Sequence, residues 1–263
     1  TTLFRSLQYN GKMGFCGKFR LHDALIEDCV TIHNNRKLYK IYWDAGGSKL
    51  HHATDCTVRR LVTAFNYGSA LWWDIDCIDN TIEDCVSLAN DGLGLFYEIS
   101  DRGTFRKNVS FGNGTGIMYA HSANGRIEDN VILGCSSGFI QGGDRGKYKC
   151  LNTTFQDNLV LETRSKAIGW KWSKNPDARD PDSNNVIENN TFAWVNRDPA
   201  YEIYKTHTDL GTFEEKYENA GNNREIRGLD NLPDADRARL ARAVRRIAQT
   251  LNTIRPELNL ATE

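Results

Sequence analysis

The sequence predicts an all-β chain, a right-handed parallel β-helix with a C-terminal α-helical segment, and three observations predict it. A short pattern (apolar, polar, polar, X, usually apolar) recurs: IEDCV at 26–30, VRRLV at 58–62, IEDCV at 82–86, FRKNV at 105–109, IEDNV at 127–131, FQDNL at 155–159 and IENNT at 187–191. Between these segments apolar residues alternate with period two and Asn or Gly marks the turns, with no helical periodicity. After residue 233 the pattern changes, and Leu240, Val244, Ile247, Leu251 and Ile254 form one helical stripe.

Position X is Cys29, Leu61, Cys85, Asn108, Asn130, Asn158 and Asn190, a unit of 22–24 residues that lengthens where loops are inserted. A second column falls five residues later at Asn34, Asn66, Asn90, Asn113 and Cys135. Gly- or Ala-led apolar stretches follow at ALWWD (70–74), GLFYE (94–98), GIMYA (116–120) and GFIQG (138–142). Units this short bury their apolar faces only by stacking on one another. Leucine-rich repeats have a similar period, but their Leu spacing is absent here. The Asn columns instead suit turns whose amides hydrogen-bond along the stack. The β-helix is therefore assigned to residues 1–232 and the helix and tail to 233–263, with Pro256 expected to end the helix.

Seven cysteines cannot all pair within one chain. Cys29, Cys85 and Cys135 occupy the turn columns, where a small buried side chain fits. Cys29 and Cys85 lie two coils apart, about 9–10 Å, beyond disulfide reach. The spacing leaves the pairing of Cys56, Cys77 and Cys150 open.

Thirty-three Lys and Arg nearly cancel 34 Asp and Glu, which leaves no field to hold nucleic acid or an anionic membrane. The apolar runs fall short of the ~20 residues that span a bilayer. The expected location is secreted or extracytoplasmic, although TTLFRSLQYN is no signal peptide. The chain starts in strand-like sequence, so an upstream segment or a homo-oligomeric partner is expected to cover the first coil's edge.

Aligning the apolar stretches points Leu71, Leu95, Ile117 and Phe139 inward, and with them Trp73, Tyr97, Tyr119 and Gln141. Trp72, Phe96, Met118 and Ile140 then stack outside, beside Asp74 and Glu98 at one position of adjacent coils. Asp44 of WDAGG is expected to match Asp74 on the preceding coil, and Asp76 to face the same way. Like charges about 5 Å apart repel and raise one member's affinity for a proton. A retaining glycosidase needs such a pair, one carboxyl ionised and one protonated, ~5–5.5 Å apart. Trp72 and Phe96 offer a platform for a sugar ring, Lys49 a counter-charge or hydroxyl ligand, and Lys171 of GWKW a cation near the groove. Alternation turns His121 inward, and His22, His51 and His52 lack metal-ligand spacing, so no zinc site is expected.

NGKMGF at 10–15, WDAGGSK at 43–49, LWWDID at 71–76 and LFYEIS at 95–100 resemble secreted bacterial right-handed parallel β-helix proteins, including β-helical glycoside hydrolases such as the β-xylosidases of this fold. The resemblance covers about residues 10–145, and more loosely TFEEKYENAG at 212–221. It implies Asp74 as nucleophile and Glu98 as general acid/base. The chain departs from it by placing Cys29 and Cys85 where Asn is usual, and upstream coils and a cap are expected beyond the given sequence.

The leading expectation is a cofactor-free retaining glycoside hydrolase acting on a polysaccharide or oligosaccharide, with Asp44, Lys49, Asp76, Trp72, Phe96 and Lys171 binding substrate. One alternative is a polysaccharide lyase in which the acids hold Ca²⁺ and Lys49 or Lys171 serves as base. Another is a non-catalytic carbohydrate-binding or assembly module.

Overall fold

The computed structural model describes residues 5–18, 20–143, 147–171, 184–203, 206–216 and 220–258. Among them the repeat becomes a stack of coils, each contributing one short strand to each of three long sheets. One sheet runs from Arg5–Gln8 to Arg224–Arg227, a second from Met13–Gly17 to Tyr201–Ile203 with Thr206–Thr208 at its edge, and a third from Leu25–Glu27 to Ala220–Gly221. Every pairing is parallel except that of Tyr201–Ile203 with Thr206–Thr208. The chain is thus a right-handed parallel β-helix.

The repeated apolar position pairs coil on coil, as in Val58↔Ile82 and Ile82↔Phe105, and these side chains meet Leu71, Trp73, Leu95, Tyr97, Ile117, Tyr119 and Phe139 in one buried cluster. Aromatic rings stack along it, with Tyr97 and Tyr119 centroids 5.3 Å apart and nearly parallel. Gly125 makes room for that column, because a Cβ there would stand 2.6 Å from the Tyr119 ring.

Both Asn columns are hydrogen-bonded ladders. Asn34 donates through Nδ2 to Asn66 (2.9 Å), Asn66 to Asn90 (2.8 Å) and Asn90 to Asn113 (3.0 Å). Asn108, Asn130, Asn158, Asn190 and Asn223 form the other in the same way. Asn10 and Asn223 extend the ladders beyond the positions the sequence pattern marks.

All seven cysteines are free thiols. Cys56 sits below Asn80, and Cys77 heads a column with Ser100 and Ser122, so these two also fill turn slots. Burial pushes the Cys77 and Cys85 thiols up to about 12 and Cys135 to about 11, which keeps them protonated.

Two helices follow. Helix α1 (Leu210–Lys216), which the sequence pattern did not mark, packs Leu210 and Phe213 against Tyr201 at the far end of the core. Helix α2 (Asp234–Leu258) lies along the sheet containing Val86–Leu88, Val109–Phe111 and Val131–Leu133. Its buried face is Asp236, Ala243, Ile247, Thr250 and Ile254. Val244 and Leu251 of the expected stripe are exposed, because Ala243 and Thr250 let the helix approach closely and rotate the contact. The helix also runs through Pro256 rather than stopping at it. Arg246 donates to the carbonyls of Asp84 and Lys107, and Arg239 to those of Asn130 and Asp157. The four coils these arginines reach are consecutive.

Candidate functional site

The outer face of the second sheet carries a cleft of about 810 Å³. Its floor comes from Gly46–His51, Ser69–Asp74, Leu93–Glu98 and Thr115–Ala120. Register sets the side chains: Trp72 pairs with Phe96 and Asp74 with Glu98 on one side, and Lys49 and His51 stand opposite Trp72 and Asp74 on the other. The fourth coil contributes Met118 and Ala120.

The ladder partner of Asp74 is therefore His51 and not Asp44. Asp44 precedes the strand, in the loop that ends where Gly46 pairs with Ser69. It still reaches the cleft: its Oδ1 lies 3.2 Å from Lys49 Nζ and 3.4 Å from His51 Nε2, and its Oδ2 lies 3.0 Å from Lys18 Nζ. Burial alone would raise the Asp44 pKa, but the hydrogen bonds from Lys18 and Lys49 outweigh it and bring it down to about 2. That loop is anchored at its base by buried Asn35, whose amide donates to the Tyr39 and Tyr67 carbonyls and accepts from the Tyr39 N–H.

Lys49 is the hub. It is 4 % exposed, and its ammonium lies 2.8 Å from Asp74 Oδ2, 3.2 Å from Asp44 Oδ1 and 2.9 Å from the Trp43 carbonyl. The ammonium also sits 3.2 Å from the centroid of the Trp72 ring. Phe96 stacks on Trp72 from the next coil, with centroids 5.0 Å apart. Both faces of Trp72 are thus occupied, so Trp72 and Phe96 form a packed floor, and the expected ring platform is corrected. The exposed aromatics are instead Tyr42 and Trp43, 84 % and 73 % exposed, on the loop bordering the cleft.

Asp74 is 6 % exposed, and while Oδ2 takes Lys49, its buried Oδ1 has no hydrogen-bond partner; the indole Nε1 of Trp72 is in the same state. Such atoms are costly to bury unpaired. Burial and then the neighbouring Lys49 hold the His51 imidazole below its ordinary pKa. Across the cleft Glu98 lies 4.0 Å from His121 Nε2.

His121 therefore faces outward, contrary to simple alternation. The reason recurs on each coil: His52, Ile75, Ile99 and His121, which follow the strands, all adopt left-handed backbone conformations with φ of 49–56°. Alternation ends there. Asp76 adds a second left-handed residue and turns away from the cleft, where Lys147 meets it at 2.8 Å. Lys171 ends its strand opposite Gly142, and its side chain lies outside the described residues. Asp91 and Tyr42 line the cleft without any mark in the sequence pattern, and His51 and His121, read there as lacking ligand spacing and as turned inward, join them.

The family described as Periplasmic copper-binding protein (NosD) matches residues 19–203, over two thirds of the chain. Its periplasmic description agrees with the extracytoplasmic location expected of this chain, and no described helix is long and apolar enough to cross a membrane. No curated protein and no solved structure matches.

Proposed function

The chain belongs to the family described as Periplasmic copper-binding protein (NosD), and from the geometry of its cleft, not from that description, we propose a carbohydrate site in which Asp74 and Glu98 carry out retaining glycoside hydrolysis. The observation that carries this reading is the pairing of Asp74 with Glu98 on adjacent strands in a cleft bordered by exposed Tyr42 and Trp43. Adjacent strands lie about 4.8 Å apart, the scale of the ~5–5.5 Å separation of a nucleophile and acid/base pair.

Each residue has a task in that chemistry. Lys49 fixes Asp74 through Oδ2, so the unpartnered Oδ1 is the atom that attacks the anomeric carbon. As that bond forms, the glycosidic bond breaks and the Glu98 proton passes to the leaving oxygen. Water then attacks the same carbon, returns a proton to Glu98 and releases Asp74. Trp72 Nε1 supplies a donor for a sugar hydroxyl, and Tyr42 and Trp43 supply faces for its ring.

Copper, the ligand in the family's description, does not fit the described residues. No three His, Cys, Asp or Glu side chains among them assemble a metal site. The Lys49 ammonium already occupies the space between Asp44 and Asp74. The buried thiols face backbone carbonyls, as Cys77 does those of Asp74 and Leu50 and Cys85 those of Glu83 and Val58. The same ammonium stands where Ca²⁺ would have to sit in a lyase, and with three acceptors around it Lys49 is poorly placed to act as a base.

Asp74→Ala is expected to abolish release of aryl aglycone from whichever glycoside the wild-type protein cleaves. Added azide should restore cleavage and yield a glycosyl azide of inverted configuration. Unchanged turnover in Asp74→Ala would sink the assignment. The second reading, a non-catalytic carbohydrate-binding module, is favoured by the tight hold of Lys49 on Asp74; it predicts oligosaccharide binding by the wild-type protein with no product formed.

A further inference from the structure

Helix α2 has a second face that the solenoid does not take. Arg237, Ala241, Val244, Ala248, Leu251 and Arg255 recur at alternating spacings of four and three, the period of a coiled-coil seam, and all six are exposed. Val244 is 50 % exposed and Leu251 37 %, whereas Ile247 and Ile254 of the same helix are buried against the sheet. Apolar side chains aligned along an exposed helix face are suited to packing against another helix.

The charge around this seam narrows what covers it. Helix α2 carries six arginines against Asp234, Asp236 and Glu257, in a chain whose net charge is −1, and no Asp or Glu lies between Asp236 and Glu257. Arg239 and Arg246 are taken up by carbonyls of the coils beneath, and Arg237 pairs with Asp234. Arg242, Arg245 and Arg255 are exposed and have no ion pair among the described residues. The cavity of about 370 Å³ that Arg242 borders does not neutralise the helix either: Lys107, Arg239, Arg242 and Arg246 line it against Asp84 and Asp129.

We propose that this face of α2 docks an amphipathic helix of a partner protein, with apolar residues in the same four-three spacing and Asp or Glu beside them. Val244 and Leu251 are the knobs of the seam, and Ala241 and Ala248 let the two axes approach. Arg245 beside the seam and Arg255 at its end offer guanidinium forks to the partner's carboxylates. A second copy of α2 fits poorly, because antiparallel pairing sets Arg237 against Arg255 and parallel pairing sets each arginine against itself. An anionic bilayer fits poorly too: the helix has no aromatic residue, and among the described residues Val244 and Leu251 are the large apolar side chains it exposes. Helix α2 lies on the first sheet and the cleft on the second, so a docked helix leaves the cleft open.

The test is calorimetric titration of the wild-type protein with a synthetic peptide of about three heptads, Ile and Leu at its seam positions and Glu beside them. Its own charge keeps the free peptide unpaired and largely unfolded, so docking also reads as a gain of helical circular dichroism. Binding should be saturable in the micromolar range and weaken as salt rises. Arg245→Glu with Arg255→Glu should weaken it at least about tenfold, and Val244→Ser with Leu251→Ser about tenfold, each pair keeping the wild-type thermal melt. Should the charge reversals lower the melt, Arg245→Gln with Arg255→Gln takes their place, with about a threefold loss expected. No binding, equal binding of the same peptide with Lys for Glu, equal binding of polyglutamate, or wild-type affinity in the variants would overturn the proposal. Dimerisation of the wild-type protein that Leu251→Ser abolishes, or binding to phosphatidylglycerol vesicles but not to the peptide, would overturn it in favour of a second copy or a membrane.

Discussion

The Asn ladders and the cleft floor run along the same stack of coils and treat their polar atoms in opposite ways. In a ladder each coil repeats its neighbour, and every amide both gives and receives: Asn130 accepts from the backbone and side-chain nitrogens of Asn108 and donates to Phe105 and Asn158. On the cleft floor no residue repeats, with Lys49, Trp72, Phe96 and Met118 in one column and His51, Asp74, Glu98 and Ala120 in the next. There Asp74 Oδ1, Trp72 Nε1 and His51 Nε2 are left over. The repeated Asn column satisfies its own amides, whereas the unlike residues of the floor leave polar atoms open at the cleft.

Three experiments break or sharpen that contrast. The largest effect is expected at Lys49, which joins the unlike residues of the floor: Lys49→Met leaves Asp44 and Asp74 facing each other in a nearly buried site and should cost about 3–5 kcal/mol in chemical denaturation. A loss below about 0.5 kcal/mol, the scale of an exposed pair, would show that the floor does not depend on its hub. Next comes the ladder. Asn130→Ala removes partners from two donors and two acceptors at once and should cost about 2–4 kcal/mol, with amide hydrogen exchange rising at Asn108, whose N–H loses its acceptor. Unaltered protection there would mean that the ladder is ornamental. The smallest effect is in acid. Asp44, brought from 3.8 to about 2 in the folded protein, binds its proton less readily than in the unfolded chain. Its stabilising contribution is present above pH ~4 and is lost as pH falls toward ~2. The wild-type protein should therefore lose more stability than Asp44→Asn between those limits in parallel urea titrations. Identical losses would contradict the pairing with Lys18 and Lys49.

The ladder half of this contrast was far more legible in the sequence than the cleft half, for a physical reason. A repeated turn needs the same residue type each time, so Asn34, Asn66, Asn90 and Asn113 announce their own register, and the paired strands from Leu71 and Leu95 follow by counting. The cleft lies where counting stops. Asp44 looks like Asp74 in its local sequence, yet strand pairing begins only at Gly46, which hands the ladder position to His51. Left-handed residues after each strand reverse the facing that alternation assigns to Asp76 and His121. The covering of both Trp72 faces depends on residues from two other coils, which no local pattern brings together. Helix α2 was visible as a helix, but its contact face was chosen by Ala243 and Thr250, whose small size matters only once a sheet lies beneath them.

The two arginines of helix α2 connect two different length scales. Seven residues separate Arg239 from Arg246, a rise of about 10.5 Å along the helix, and each serves a neighbouring pair of coils. Successive pairs are two coil steps apart, about 9.6 Å of sheet. The pitch of one structure is nearly commensurate with the spacing of the other, so the helix acts as a ruler laid against the solenoid. Inserting a single residue between the arginines would swing one of them about 100° around the helix axis and leave it out of step with the coils, whereas a whole heptad would restore the phase two coils further along.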